Sequence, residues 1–88
     1  EGVVNYALSI EGISVAAFFV ERDGMVKISF RSKGDFSVNQ LARDHFNGGG
    51  HINAAGGAYG TEVEEAIEKL KEVLPDYQSL LPINKSNR

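Results

Sequence analysis

The sequence contains no cysteine, which excludes disulfide staples, thiolate nucleophiles and zinc–thiolate sites together and fits a reducing, cytoplasmic compartment. It also lacks any apolar run approaching the ~18 residues of a membrane span, and no basic start followed by an apolar core reads as a signal peptide, so no membrane role is expected. Positive charge is scarce as well: nine Lys and Arg against twelve Asp and Glu leave a formal charge of −3. That balance argues against a broad electrostatic grip on duplex nucleic acid, so any anion recognised must be held locally. No serine stands with a histidine in a recognisable activated pair, and no carboxylate pair suggests acid–base work. A metal site built on His45 and His51 lacks a third ligand. Eighty-eight residues suit one domain burying ~60% of its unfolded surface. The chain opens on Glu1 and reads as a domain excised from something larger, with residues 1–82 as the domain and 83–88 as a frayed tail.

What is abundant is glycine, in one place. Half of the ten glycines fall within residues 47–57, Asn47-Gly48-Gly49-Gly50-His51-Ile52-Asn53-Ala54-Ala55-Gly56-Gly57. Glycines in succession allow φ > 0 and let an anion approach with no Cβ in the way. If the chain turns helical after Gly50, with His51, Ala54 and Ala55 in the first turn, its free N–H groups make a phosphate or carboxylate site with His51 at the rim. The alternative is a glycine-rich turn between two elements, with His51 bonded to backbone.

The remaining elements are arranged around that stretch. Residues 2–9 place Val3, Val4, Ala7 and Leu8 at helical spacing and read as the end of an entering helix or an irregular lead. Residues 13–20 are apolar on both faces, as in a central, covered strand. Asp23-Gly24 supplies a tight hairpin turn, and Met25–Ser32 alternates Val26, Ile28 and Phe30 against Lys27, Ser29 and Arg31. That polar stripe is either a solvated face or a pocket wall ending in the Arg31 guanidinium, which competes with a surface ion pair. Ser37-Val38-Asn39-Gln40 matches a capping box opening a helix with Val38, Leu41, Ala42 and Phe46 buried and a left-handed exit at Asn47-Gly48. His45 on that helix reads as structural. Residues 57–59 suggest a short strand. Thr61-Glu62-Val63-Glu64 reads as a second capping box, starting a helix with Val63, Ala66, Ile67, Leu70, Val73 and Leu74 buried, a Glu65–Lys69 support pair and a stop at Pro75. Beyond it, Tyr77, Leu80 and Leu81 are expected to pack loosely. Phe36 or Tyr59, in or near loops, could stack on a base. The fold class is α+β: a small, largely antiparallel or mixed sheet covered by two or three helices.

Lys27-Ile28-Ser29-Phe30-Arg31-Ser32, Ser37-Val38-Asn39-Gln40-Leu41-Ala42 and Gly48-Gly49-Gly50-His51 followed by Ala54-Ala55-Gly56 together resemble the DHH-associated C-terminal domain of DHH-family phosphoesterases. The likeness runs from about Gly2 to Pro75. It is nearest to bacterial nano-RNases that also remove phosphate from 3′-phosphoadenosine 5′-phosphate. Single-strand exonucleases, cyclic-dinucleotide phosphodiesterases and exopolyphosphatase-related members are near relatives. The resemblance implies that an upstream domain carries an Asp-His-His signature and manganese or magnesium, neither supplied by this chain, and that a homodimer of the longer protein remains open. It implies a substrate-binding role here: Gly48, Gly49, Gly50, His51 and Arg31 on substrate phosphate, Ser32 and Asn53 in support, and a nucleotide or short single-stranded RNA or DNA as ligand. Asn47 stands where many relatives carry a further glycine, a position asparagine tolerates in the left-handed region. The rival function is a stand-alone nucleotide or RNA-end binding module, as the glycine-rich domain ending alanyl-tRNA synthetases suggests. A purely structural dimerisation domain is a third.

Overall fold

The computed structural model describes residues 2–10 and 13–78. Five strands form one antiparallel sheet, and two helices pack on one of its faces. In chain order these are β1 (Gly2–Ile10), β2 (Ile13–Arg22), β3 (Met25–Ser32), α1 (Val38–His45), β4 (Gly49–His51), β5 (Ala54–Ala58) and α2 (Val63–Gln78). The strand order across the sheet is β1-β2-β3-β5-β4. The α+β class and the largely antiparallel sheet stand as expected.

Residues 2–9 are not helical. They belong to β1, which pairs with β2 along its whole length, from Gly2 opposite Glu21 to Ile10 opposite Ile13. An eight-residue helix cannot repay its own nucleation, whereas a long hairpin satisfies the same backbone groups against a neighbour. Period two wins over the helical spacing here: Val3 is 61% exposed, while Val4 packs against the core.

The Asp23-Gly24 turn forms as its residues dictate. Both take positive φ, 54° and 73°, the twist that lets strands leave a two-residue turn in register. Arg22 therefore pairs with Met25, and every pair behind it is set, including Phe18 with Ser29 and Ala16 with Arg31. The expected alternation of β3 holds, with Val26, Ile28 and Phe30 buried and Lys27, Ser29 and Arg31 exposed. β2 lies centrally, but it is covered on one side only. Val15, Ala17 and Phe19 are buried while Ser14, Ala16 and Phe18 are exposed, because α1 and α2 share a single face of the sheet.

That face holds the core. Phe19, Phe30 and Phe46 are fully buried with Leu41, Leu70 and Leu74, each such side chain worth ~1.5–3 kcal/mol relative to exposure. The Phe30 and Phe46 rings lie 5.0 Å apart, and Tyr59 meets Phe46 edge-on at 5.9 Å. Ser37 caps α1, its Oγ accepting from the Gln40 N–H at 3.0 Å. The reciprocal half of the box is missing, since Gln40 Nε2 donates to Asp44 Oδ1 instead. Asn47 takes the left-handed exit at φ 54°.

At α2 the capping box shifts by one residue. Glu65, not Glu64, turns back, its Oε1 accepting from the Thr61 and Glu62 N–H groups at 2.7 and 3.0 Å. Glu65 is thereby taken from its expected partner, and the Lys69 ammonium sits 5.4 Å over the Tyr59 ring instead. Pro75 does not stop the helix, which continues to Gln78. Proline forfeits its own N–H bond and crowds the carbonyl four residues back. Both Lys71 and Pro75 are exposed, so that carbonyl can tilt to water. The expected packing of the Tyr77 side chain, of Leu80 and of Leu81, and the frayed tail, lie outside what the structure describes.

Candidate anion-binding site on the open sheet face

The glycine stretch does not start a helix. It forms β4, a two-residue turn at Ile52 and Asn53, and β5. Small residues make that hairpin possible at the place it occupies. A Cβ at Gly48 would fall 1.9 Å from the Gly56 carbonyl oxygen, and one at Gly57 would fall 2.6 Å from that of Phe46. Neither position admits a side chain without moving backbone, so these glycines serve close packing between the hairpin and the end of α1.

The amides of the motif are largely committed inside the protein. The Gly48 N–H donates to the Ala42 carbonyl at 3.1 Å, and the Gly50 N–H donates to Asn39 Oδ1 at 2.9 Å. Gly49 lies in β4 opposite Gly56. The free main-chain nest expected at a helix start is thus absent, and the hairpin's contribution to a site falls to the side chain it presents.

That side chain is His51, which is exposed. His51 pairs with Ala54, and Ala54 pairs in turn with Arg31 on β3. Residues directly opposite in a ladder point to the same face, so the registers put Arg31 and His51 on the face opposite the core, their backbones two strand spacings or about 10 Å apart. Ala54 lies between them and offers only a methyl group. Arg31 is exposed, with Nη1 donating to its neighbour's carbonyl, Phe30 O, at 2.8 Å, a local hold that leaves most of its five donors to other acceptors.

Ser32 and Asn53, expected as supporting ligands, are bound into the protein. Asn53 Nδ2 donates to Ser32 Oγ at 2.9 Å and to the Gly34 carbonyl at 3.2 Å, which uses both of its hydrogens. The Ser32 hydroxyl donates to the Phe36 carbonyl at 2.8 Å. The Ser32 N–H bonds to the Asn53 carbonyl at 3.1 Å, and the Val38 N–H bonds to the Ile52 carbonyl at 2.8 Å. Together these bonds lace the end of β3, the start of α1 and the hairpin tip into one unit. Their effect is to fix where His51 stands relative to Arg31.

The charge distribution favours anions on this face. Glu62, Glu64, Glu68 and Glu72 are all exposed on or beside α2, on the helical side of the molecule. The outward row of β3 carries Lys27 and Arg31 with Ser29 between. The overall charge of −3 therefore hides a basic sheet face. Of the two aromatics expected to stack, Phe36 is buried in the core and the half-buried Tyr59 is engaged by Phe46 and Lys69. Among the described residues, no three His, Asp or Glu side chains converge to hold a metal ion, and no helix is long and apolar enough to cross a membrane.

The sequence profile of the DHHA1 domain matches residues 1–78. The chain belongs to this family. The DHHA1 domain described here is 35% identical over 74 residues to the bifunctional oligoribonuclease and PAP phosphatase NrnA of Thermus thermophilus, a match covering 83% of the chain and 22% of that protein. It is 41% identical over 73 residues to the cyclic-di-AMP phosphodiesterase GdpP of Geobacillus thermodenitrificans, covering 80% of the chain and 11% of that protein. A solved structure of an exopolyphosphatase-related protein from Bacteroides fragilis shares 44% identity with a TM-score of 0.69, over 75% of the chain and 19% of its own. The DHHA1 domain thus spans about a fifth or less of the length of these relatives.

Two residues on or behind the open face escape a reading of the residues alone. Asn39 holds Gly50 and so the β4 backbone. Phe18, expected within a covered strand, is 38% exposed on the same face. The signal that could have placed Phe18 is the Asp23-Gly24 turn, which sets the register of β2 on β3.

Proposed function

We propose that this DHHA1 domain is the substrate-binding part of a longer metal-dependent phosphoesterase acting on short oligoribonucleotides or adenosine bisphosphate. One observation carries the reading: a guanidinium and an imidazole stand on the same open face across a single small residue, at a spacing held by the Ser32–Asn53 network. A phosphate resting over Ala54 lies within reach of both. The guanidinium can take two oxygens side by side, and the imidazole can donate to a third whether neutral or charged. The Gly-Gly-Gly-His segment acts here by letting β4 pack closely enough to present His51, rather than by offering loose amides.

An upstream domain in the same polypeptide, carrying Asp-His-His, would hold the manganese or magnesium that activates the attacking water. The residues described here bind and orient. Fixing a phosphate against the guanidinium and the imidazole offsets its charge and places the neighbouring ester bond in one position, which lowers the entropic part of the barrier. The names of the relatives support this reading, since NrnA and GdpP act on phosphoesters of nucleotides.

Titration of the isotopically labelled chain with adenosine 3′,5′-bisphosphate tests it. Amide shifts should concentrate at Arg31, residues 48–51 and Ala54. Shifts centred on α2, or none from a folded chain at millimolar ligand, rule the site out.

A further inference from the structure

The open face continues past Arg31, away from His51. Ala16 on β2 pairs with Arg31, and Phe18 pairs with Ser29, so these four side chains form two adjacent cross-strand pairs on the outward face. Together with the backbone of Ala17 they line a shallow cavity of about 350 Å³. Its floor is a methyl and a hydroxyl, from Ala16 and Ser29. Its walls are a phenyl ring and a guanidinium. An aromatic ring left 38% exposed next to a cation, over small residues, is poorly explained by packing, because the helices that form the core lie on the opposite face.

Resting on the phosphate site proposed above, we infer that this cavity receives the base of the bound nucleotide, stacked on Phe18. The row across the sheet is Ala16, Arg31, Ala54, His51, with Phe18 two residues along β2 from Ala16, and from β2 to β4 is three strand spacings, about 14 Å. A nucleotide laid along that line places its phosphate over Ala54, its sugar beside Arg31 and its base over Ala16. Stacking is tolerant of sequence because every base offers a π face, so the site selects for a base without selecting which one. Ser29 Oγ can hydrogen-bond to sugar or base edge in either sense. Phe18 is a positioning residue in this scheme: it sets where the nucleoside lies while Arg31 and His51 hold the charge.

Comparing adenosine 5′-monophosphate with ribose 5-phosphate, which lacks the base, tests the inference on the chain itself by titration NMR. The nucleotide should bind about fivefold to a hundredfold more tightly, as expected for one stacked base. Phe18→Ala and Phe18→Leu should both remove most of that preference while leaving ribose 5-phosphate binding unchanged, and Phe18→Tyr should keep it. Leucine retains apolar bulk and strand compatibility, so its failure to substitute separates stacking from mere burial. Equal affinity for the two ligands in the wild-type chain overturns the role of Phe18 and leaves the phosphate site standing. A preference that survives Phe18→Leu overturns it too, as does a parallel loss of both ligands in the variants. If neither ligand binds the folded wild-type chain, the phosphate site itself is wrong and the stacking site falls with it.

Discussion

Arg31 and His51 are joined through one residue, Ala54, which pairs with both across neighbouring strands. Because paired residues share a face, the gap between the guanidinium and the imidazole is set by the bulk at position 54. Alanine leaves it open. Ala54→Leu should place an isobutyl group in that gap and weaken binding of adenosine bisphosphate by at least about tenfold, the cost of losing one charge-assisted contact of ~1.5 kcal/mol. Ala54 lies outside the buried core, so thermal stability should stay near that of the parent chain. Affinity within a factor of two of wild type would place the phosphate elsewhere.

His51 is the simpler target in a full-length protein carrying this domain. It is exposed and its removal leaves no buried group unpaired. His51→Ala should lower turnover by about a hundredfold, the scale seen when one donor to a reacting group is deleted, without lowering Tm. Unchanged kinetics would remove His51 from the site.

Two glycines respond differently to the same change. Gly48→Ala introduces a Cβ 1.9 Å from a backbone oxygen, which no rotamer can relieve. It should cost about 4 kcal/mol or more, at the severe end of single substitutions. Gly34 has open space around it but takes φ 72°, so Gly34→Ala should cost only about 1–2 kcal/mol. Denaturant unfolding of the two variants measures both. Comparable losses would mean that the hairpin can move away from α1.

The parts of this fold set by local chemistry were legible in the residues. Asp23-Gly24 announced a turn with two positive φ values, Ser37 announced a helix start, and Val26, Ile28 and Phe30 announced a buried face, because each depends on residues a few positions apart. The failures share another cause. Residues 2–9 form a strand only because β2 is there to pair with. Residues 51–55 form a hairpin rather than a helical turn because β3 has an open edge and Gly57 lets Phe46 close over it. At the site, Arg31 and His51 were identifiable as residue types, but their sharing of Ala54 depends on two separate registers. The internal engagement of Ser32 and Asn53 could not be read from their polarity.

Asn53 tests whether that engagement matters. Its amide bonds to Ser32 Oγ and the Gly34 carbonyl, and neither partner belongs to the proposed ligand. Asn53→Ala should cost about 1–2 kcal/mol, each kcal/mol lowering Tm by about 4–8 °C in a domain of this size. It should also weaken phosphate binding, since the hairpin tip then moves relative to β3. Ser32→Ala should do the same, and the double variant should lose less than the sum, because both break one network. Additive losses would show two independent bonds and no shared role in placing His51.

The start of α2 should be acid-sensitive through Glu65. Its carboxylate is held below its ordinary value of 4.5 first by the Thr61 N–H, then by the Glu62 N–H and the Thr61 hydroxyl. A carboxylate with a depressed folded-state pKa stabilises fully above its unfolded value, and the contribution disappears as pH falls through the folded value. Glu65→Gln keeps an acceptor oxygen but removes the charge, so it should lower Tm at neutral pH. The gap between the two proteins should then close on acidification below 4.5, because the wild-type side chain becomes neutral as well. The carboxylate is fully exposed, so the whole effect is small and should shrink further in high salt, where its favourable position near the helix N-terminus is screened. A gap that stays constant through the acid range would assign the cap to geometry alone, with no contribution from charge.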